Sequence, residues 1–461
     1  MQTRSLFQKF FALLTLVVFL GAGCGGPTNA QVLATTPVKL VVWGVFDGNE
    51  AFADSMKAYQ KIHPNVSFEY KELSVDTFKN ELLRALAEGT GPDIFALDNA
   101  WIGEYQSLIT PLPASLSIPY SEVQGSIKKQ TVYSIKEQPT ISMRALKTDY
   151  VDVVAQDVVR SYQANIKTPV ADRIFGLPLS VDTLALYYNK DLLNAGGFPT
   201  PAKTWTEFQT QVTKLSSIGP NNTVLQSGAA IGTSKNVERS FDILSLLMMQ
   251  NGTQMTDDRN RATFAQTASD GKTVLGIDAV NFYTDFANPT KQVYAWNADQ
   301  PGSFDAFTQG KTAYFFGYSY HAPLISAAAP KLQFSVAPVP QIAGGKQVNY
   351  ANYWIETVSK SSKNANWAWD YIQFETSAAQ APSYLAATHK PTALRALIGA
   401  EMNDDILSTF AGQLLTAKSW YKGSDDSIAE SALQTLIDQV LAGNDTQKAI
   451  RDAENKVNQT L

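Results

Sequence analysis

The stretch Val38–Asp98, VKLVVWGVFDGNEAFADSMKAYQKIHPNVSFEYKELSVDTFKNELLRALAEGTGPDIFALD, decides the fold. Val38–Trp43 (VKLVVW) is a mostly apolar run, as expected of a strand buried on both faces. Phe52, Met56, Tyr59 and Ile62 then recur at helical spacing, and His63-Pro64-Asn65 ends that helix because proline cannot continue it. Val66, Phe68 and Tyr70 alternate, which predicts a second strand. Phe78, Leu82, Ala85 and Leu86 mark a second helix, closed by Gly89 as a C-terminal cap. Asp93–Asp98 (DIFALD) is a third strand. This alternation is the grammar of a mostly parallel sheet with helices on its faces. In such sheets ligands bind beyond the C-terminal strand ends, which places Gly44–Asn49 and Asp98–Trp101 at a candidate site.

Upstream of this stretch the chain reads as an address. Arg4 and Lys9 precede the apolar run Phe10–Leu20, which is shorter than the ~20 residues a membrane-spanning helix needs. Gly21, Ala22 and Gly23 lead into Cys24, the only cysteine of the chain. The arrangement resembles the lipobox of bacterial lipoproteins, although Leu20 stands one place further back than the usual leucine and Gly21 fills that position. The resemblance implies a signal peptide over residues 1–23 and lipidation of Cys24. Residues 24–37, rich in Gly, Pro, Thr and Ala, are expected to be a flexible tether.

Downstream, residues 114–170 lack a steady period and are expected to be helices and loops decorating the first lobe. Gly176–Asn189 predicts two strands with a bend near Ser180–Thr183. Thr204 and Glu207 form a capping box before a helix carrying Phe208, Val212 and Leu215. Phe241–Met249 and Trp367–Phe374 read as buried helices, and Phe304–Gly317 as helix, Gly-Lys turn and strand. Ser427 with Glu430 is expected to cap a long helix ending at Gly443, and Asp445 to open the last one.

The 461 residues carry 17% charged residues against a typical ~25%, and a formal charge of −5. That mild acidity argues against nucleic acid as a partner, since phosphate binding needs concentrated Lys and Arg. One cysteine and three histidines argue against a disulfide framework or a structural zinc site, and no metal or cofactor is expected. Aromatics are plentiful, with Trp 8, Tyr 19 and Phe 23.

Five segments in order resemble the family 1 extracellular solute-binding proteins of bacterial ABC importers, whose best-known relative is maltose-binding protein. They are Leu40–Phe52 (LVVWGVFDGNEAF), Ala85–Tyr105 (ALAEGTGPDIFALDNAWIGEY), Gly176–Phe208 (GLPLSVDTLALYYNKDLLNAGGFPTPAKTWTEF), Phe307–Tyr320 (FTQGKTAYFFGYSY) and Ala351–Ser377 (ANYWIETVSKSSKNANWAWDYIQFETS). The resemblance implies a two-lobed, type II periplasmic-binding-protein-like α/β fold. Each lobe would be a mostly parallel sheet flanked by helices, with the ligand cleft between lobes. Crossings are expected near Pro178–Asp182, Ala313–Gly317 and Asn352–Thr357. The first lobe would hold 38–179 with 317–352, and the second 180–316 with 353–461.

The same resemblance implies the cleft residues. Asp47 follows the first strand, Asn99 and Trp101 follow the third, and Asp182 stands at a crossing. Tyr318 and Tyr320 follow the expected second crossing, and Tyr353 and Trp354 lie at the third. Trp43, Arg239, Asp242, Trp420 and Tyr421 are further candidates. Aromatic faces with Asp, Asn and Arg suit a carbohydrate, which offers an apolar C–H face and a rim of hydroxyls. The expected role is a membrane-tethered monomer that captures a mono- or oligosaccharide outside the cytoplasm and delivers it to permease subunits of an ABC importer. A binding protein for a non-sugar solute and a secreted glycosidase are the alternatives. Against catalysis, the chain has no Gly-x-Ser-x-Gly or His-Glu-x-x-His motif, and Asp305 stands where a P-loop ending at Gly310-Lys311-Thr312 needs glycine.

Overall fold

The strand Val38–Val45 lies inside a four-stranded sheet, between Ile94–Asp98 and Val66–Leu73. The computed structural model that shows this describes residues 26–461, so the expected signal peptide and Cys24 lie outside the described residues. The three strands run parallel because the helices Asn49–Ile62 and Val75–Glu88 carry the chain back between them. Those helices bury Phe52, Met56 and Tyr59, and Phe78, Leu82 and Ala85, against the sheet. Gly89 closes the second helix at φ 71°, a left-handed cap that glycine adopts without steric cost. The fourth strand, Trp354–Val358, comes from much later in the chain and pairs antiparallel with Ile94–Asp98.

A second sheet has the order Ser217–Ile218, Val224–Ala229, Thr312–Gly317, Ala185–Asn189, Phe334–Pro338. Here only the pair Val224–Ala229 and Thr312–Gly317 is parallel, so this sheet is mixed where a mostly parallel one was expected. Ala185–Asn189 is the strand through which the chain enters this lobe, and it lies antiparallel to both neighbours. The helices Trp205–Leu215 and Ser240–Gln250 cover the sheet, the first with the expected Thr204–Glu207 capping box.

Two large apolar cores follow, with a smaller third around Tyr187, Phe315 and Phe410 on the second sheet. One runs from Leu40 to Val181 and from Ala351 to Ala417. The other runs from Leu184 to Tyr350 and from Trp420 to Val457. The chain passes between them three times, and the three passages form one small sheet: Asp182–Thr183, Asn349–Asn352 and Ala417–Lys418. The first passage falls where the sequence predicts it. The expected crossing at Ala313–Gly317 does not, because that strand is the centre of the second sheet. The third passage lies at 417–419 instead. Residues 317–350 therefore pack with the second lobe and 353–394 with the first, the reverse of the expected division, while the helix Leu407–Gln413 touches both, with Phe410 packed against the second sheet and Ala411 in the first core.

Other expectations are corrected by local packing. Residues 114–170 contain the hairpin Ser115–Gln124 with Gln130–Pro139, two short helices, and the start of a second hairpin, Val159–Tyr162 with Ala171–Ile174. Within the expected tether, Asn29–Thr35 is helical; Thr28 Oγ1 accepts from Gln31 N at 3.2 Å and Ala34 is buried. That helix packs on the Ser115–Pro139 hairpin. Asp425, not Ser427, caps the helix Asp426–Leu441. Asp445 caps Thr446–Asn458 as expected. Among the described residues no helix is long and apolar enough to cross a membrane.

Phe208 tests the second core. It is fully buried, with Trp205, Phe286, Tyr314 and Phe316 around its ring. Phe208→Ala should destabilise by about 3–5 kcal/mol, read as a lowered urea midpoint. A loss below about 1 kcal/mol would mean that the neighbours collapse into the space.

Candidate functional site

Strand direction sets the site. Val38–Val45 and Ile94–Asp98 both end at the face of the first sheet that meets the second lobe, so the residues just after them enter the gap between lobes. The gap is a cavity of about 760 Å³ with walls from both lobes and from the crossing sheet. That volume suits one small ligand of several rings at most.

After the first strand the backbone turns sharply. Asp47 N donates to Val45 O at 2.8 Å, and Phe46 takes φ 68°, a left-handed conformation unfavourable for an aromatic residue. The turn leaves Phe46 59% exposed at the cavity wall. It is held from beneath: Tyr70 Oη donates to Asp47 O at 2.5 Å. Glycine at position 44 is what admits the Tyr70 hydroxyl, since a Cβ there would lie 2.0 Å from it. The Asp47 carboxylate accepts from Tyr384 Oη at 2.7 Å and from Lys390 Nζ at 2.5 Å.

After the third strand, Asp98 Oδ1 accepts from Ala100 N at 2.9 Å, and Oδ2 accepts from Asn352 Nδ2 at 2.9 Å. Burial pushes the Asp98 carboxyl up to about 6, against the pull of the Ala100 hydrogen bond. Asn99 and Tyr353 turn their polar ends away from the cavity; Asn99 Nδ2 and Tyr353 Oη both donate to buried Asp157, at 3.1 and 2.8 Å. Trp101 stands edge-to-face with Trp354 at 5.2 Å, and Trp354 likewise with Phe46 at 5.7 Å. These three rings make an aromatic wall on the first lobe.

The second lobe supplies the opposite wall. Tyr320, 42% exposed, presents its ring nearly parallel to Phe46, at 9° and 6.5 Å between centroids. Arg239 pairs with Asp242 at 2.5 Å and lies over the Tyr318 ring at 4.7 Å. At the crossing sheet, Asp182 Oδ2 accepts from Ser319 N at 2.9 Å and Ser319 Oγ at 2.6 Å, while Oδ1 accepts from Thr183 N at 2.8 Å. Burial raises the Asp182 carboxyl to about 6 although those donors oppose the shift. Two contacts also span the gap: Asp426, at the start of a second-lobe helix, accepts from Trp101 Nε1 at 2.7 Å and from Lys79 Nζ at 2.8 Å.

The structure brings ten of the predicted residues to this cavity: Asp47, Asn99, Trp101, Asp182, Arg239, Asp242, Tyr320, Tyr353, Trp354 and Tyr421. Three lie elsewhere. Trp43 faces the sheet beneath Lys71, whose Nζ stands 4.4 Å from its ring centre. Tyr318 is buried in the second core and donates to Asp242 at 2.7 Å. Trp420 is buried there too, with Nε1 on Ser245 Oγ at 3.0 Å. Sequence reasoning placed the segments that hold Phe46 and Asp98 at the site without singling out either residue, and it missed Asn352, Glu356, Tyr384 and Lys390 as cavity residues. Period two along the strand, from Trp354 to Glu356, carried the signal for one of them. For Tyr384 and Lys390 there was none, since they reach the cleft only through tertiary packing. Among the described residues no group of His, Cys, Asp or Glu is arranged to hold a metal ion.

The chain resembles known proteins over most of its length. The galactooligosaccharide-binding protein of Bacillus subtilis (strain 168) is 21% identical over 440 residues, which is 92% of this chain and 91% of that protein. A cyclo/maltodextrin-binding protein complexed with maltotetraose superposes with a TM-score of 0.68 at 19% identity, covering 92% of this chain and 97% of the other. The sugar-binding protein MalE from the phytopathogen Xanthomonas citri gives 0.67 at 17% identity, covering 92% and 97%. The two superpositions show a shared two-lobed fold. The model of the bacterial extracellular solute-binding protein family matches residues 54–405, and the chain belongs to that family.

Proposed function

We propose that the chain captures a carbohydrate in the cleft between its lobes and hands it to the permease of an ABC importer, without converting it. The observation that carries this reading is the composition of the two walls. Phe46, Trp101 and Trp354 on one lobe and Tyr320 on the other offer aromatic faces, and polar groups of Asp47, Asp98, Asp182, Arg239 and Asn352 stand between them. A sugar ring needs that alternation, because its C–H face is apolar while its rim demands hydrogen bonds. The near-parallel Phe46 and Tyr320 rings suit a flat ring laid along them. Relatives named for galactooligosaccharide and maltodextrin binding support the substrate class. The lipobox-like Cys24 supports a membrane anchor for a protein acting outside the cytoplasm.

Thermal-shift and calorimetric screening of mono-, di- and trisaccharides should find at least one sugar that raises the melting temperature, since a ligand of the native state stabilises it by mass action. No stabiliser across such a panel would overturn the carbohydrate reading, and release of a hydrolysed product would overturn the reading as a binding protein. Phe46→Ala and Trp354→Ala should each weaken the binding about tenfold or more, through loss of ~1.5 kcal/mol or more of apolar and ring contact. Unchanged calorimetric affinity in both would remove these rings from the site.

Asp182 gives a pH signature. Its carboxyl, at about 6, lies above its ordinary value of 3.8, so the folded state binds the extra proton. That contribution to stability is complete below about pH 4 and is lost as pH rises through 6. Asp182→Asn lacks this loss. Between pH 4 and 7.5, without solute, the stability of Asp182→Asn relative to the natural chain should improve by about 2–3 kcal/mol. Parallel pH profiles of unfolding midpoint would show that Asp182 is not held against its charge.

A further inference from the structure

Beneath the aromatic wall, the floor of the cleft in the first lobe holds more carboxyl groups than it can pair. Glu356 follows Trp354 by two residues on the same strand, lines the cavity and is 8% exposed. Among the described residues no donor reaches its carboxyl within hydrogen-bond distance, although an uncompensated buried carboxylate costs several kcal/mol. The donors nearby are taken. Tyr70 Oη donates to Asp47 O, and Tyr384 Oη and Lys390 Nζ donate to the Asp47 carboxylate. Glu375 lies behind Glu356 at 2% exposure, with its Oε2 lacking any partner among the described residues. Burial pushes both Glu356 and Glu375 well above the usual carboxylate range, and the charge of Asp47 adds to the rise at Glu356 as that of Glu356 does at Glu375. The floor thus has three carboxyls and one cation, and the cation is already spent on Asp47.

We propose that this floor is a subsite for a protonated amine and that the solute is an amino sugar, or an oligosaccharide containing one. The inference rests on the carbohydrate reading above and names the class within it. A hydroxyl would bring Glu356 one donor and no charge. An ammonium brings three donors and the positive charge that the floor lacks. The walls leave room for the rest of the solute: Phe46 and Trp354 lie just above, on the elements that carry Asp47 and Glu356. The carboxyl of Glu356 is the contact, and the Asp47–Lys390 pair fixes its surroundings. The other groups that face it are Tyr70, Tyr371, Tyr384 and Glu375.

The experiment is isothermal calorimetry at pH 7.5 on the soluble body, residues 26–461. The probes are glucosamine, galactosamine and mannosamine, alone and as β-1,4-linked dimers of glucosamine, each against its hydroxyl and N-acetyl counterparts. At least one amine should bind about tenfold or more tightly than both counterparts, and Glu356→Gln should bring that ratio close to one. Equal or tighter binding of the neutral sugars would overturn the amine subsite while leaving the carbohydrate reading intact. A preference that survives Glu356→Gln would overturn the role of Glu356. Binding of spermidine, with no binding of any sugar, would overturn both readings. Should Glu356→Gln fail to fold, the ratio measured on the natural chain decides alone.

Discussion

Everything in this molecule depends on how few backbone passages join its two cores. Three short strands, Asp182–Thr183, Asn349–Asn352 and Ala417–Lys418, carry the chain between lobes, and they hydrogen-bond to one another as one narrow sheet. Because the passages are bonded together, the lobes share one pivot rather than three independent tethers. Asp182 sits in the pivot with its carboxylate wired to Ser319 of the second lobe, so the hinge and the cleft wall share a residue. Asn352, in the same sheet, donates to Asp98 at the end of a first-lobe strand. Any rotation of the lobes about this sheet moves groups that face the cavity, which is how a fold of this kind couples occupancy to shape.

The cleft is also where the molecule departs from what its parts would choose alone. Phe46 holds a left-handed backbone that an aromatic residue avoids, and Asp98, Asp182 and Glu356 are carboxyls buried against their charge. Strain and desolvation of this sort persist only where surrounding packing over-determines them. Here the support is visible: Gly44 admits Tyr70, Tyr70 holds the Asp47 carbonyl, and the turn bearing Phe46 follows. Asp157 plays the matching role elsewhere in the first lobe, gathering Asn99, Tyr353 and Ser419 into one buried network.

The first sheet was legible in the sequence because its signals are local. An apolar run, a helical stripe, a proline stop and a glycine cap each act within a few residues, and together they predict Val38–Asp98 closely. The hairpin Ser115–Pro139 was not legible. Much of its surface is open, with Val123, Ile127, Val132 and Ile135 exposed, so no alternation of polar and apolar residues marks its strands. The passage at Ala417–Lys418 is two residues long and too short to carry a pattern. At the site, family resemblance located Asp47, Asp182, Tyr320 and Trp354 on the cavity wall. It misplaced Tyr318, whose ring stacks on that of Tyr320 at 6.1 Å but is buried in the second core while the Tyr320 ring is exposed. The floor residues Glu356 and Lys390 owe their nearness to packing between segments remote in sequence, which no local reading captures.

The strand Trp354–Val358 has a consequence for how the protein is made. Ile94–Asp98 is an interior strand only after that late segment arrives, some 250 residues downstream in order of synthesis. Until then one side of a strand that is apolar over Ile94–Leu97 has unpaired amide and carbonyl groups, the kind of edge that recruits other chains. The first lobe also lacks the helix Ala365–Glu375 that covers its core. Neither lobe can finish before nearly the whole polypeptide exists, because the second awaits its closing helices at 426–458. A nascent chain of this topology gains by staying unfolded and guarded until its last residues emerge, the same condition that passage through a narrow export channel demands.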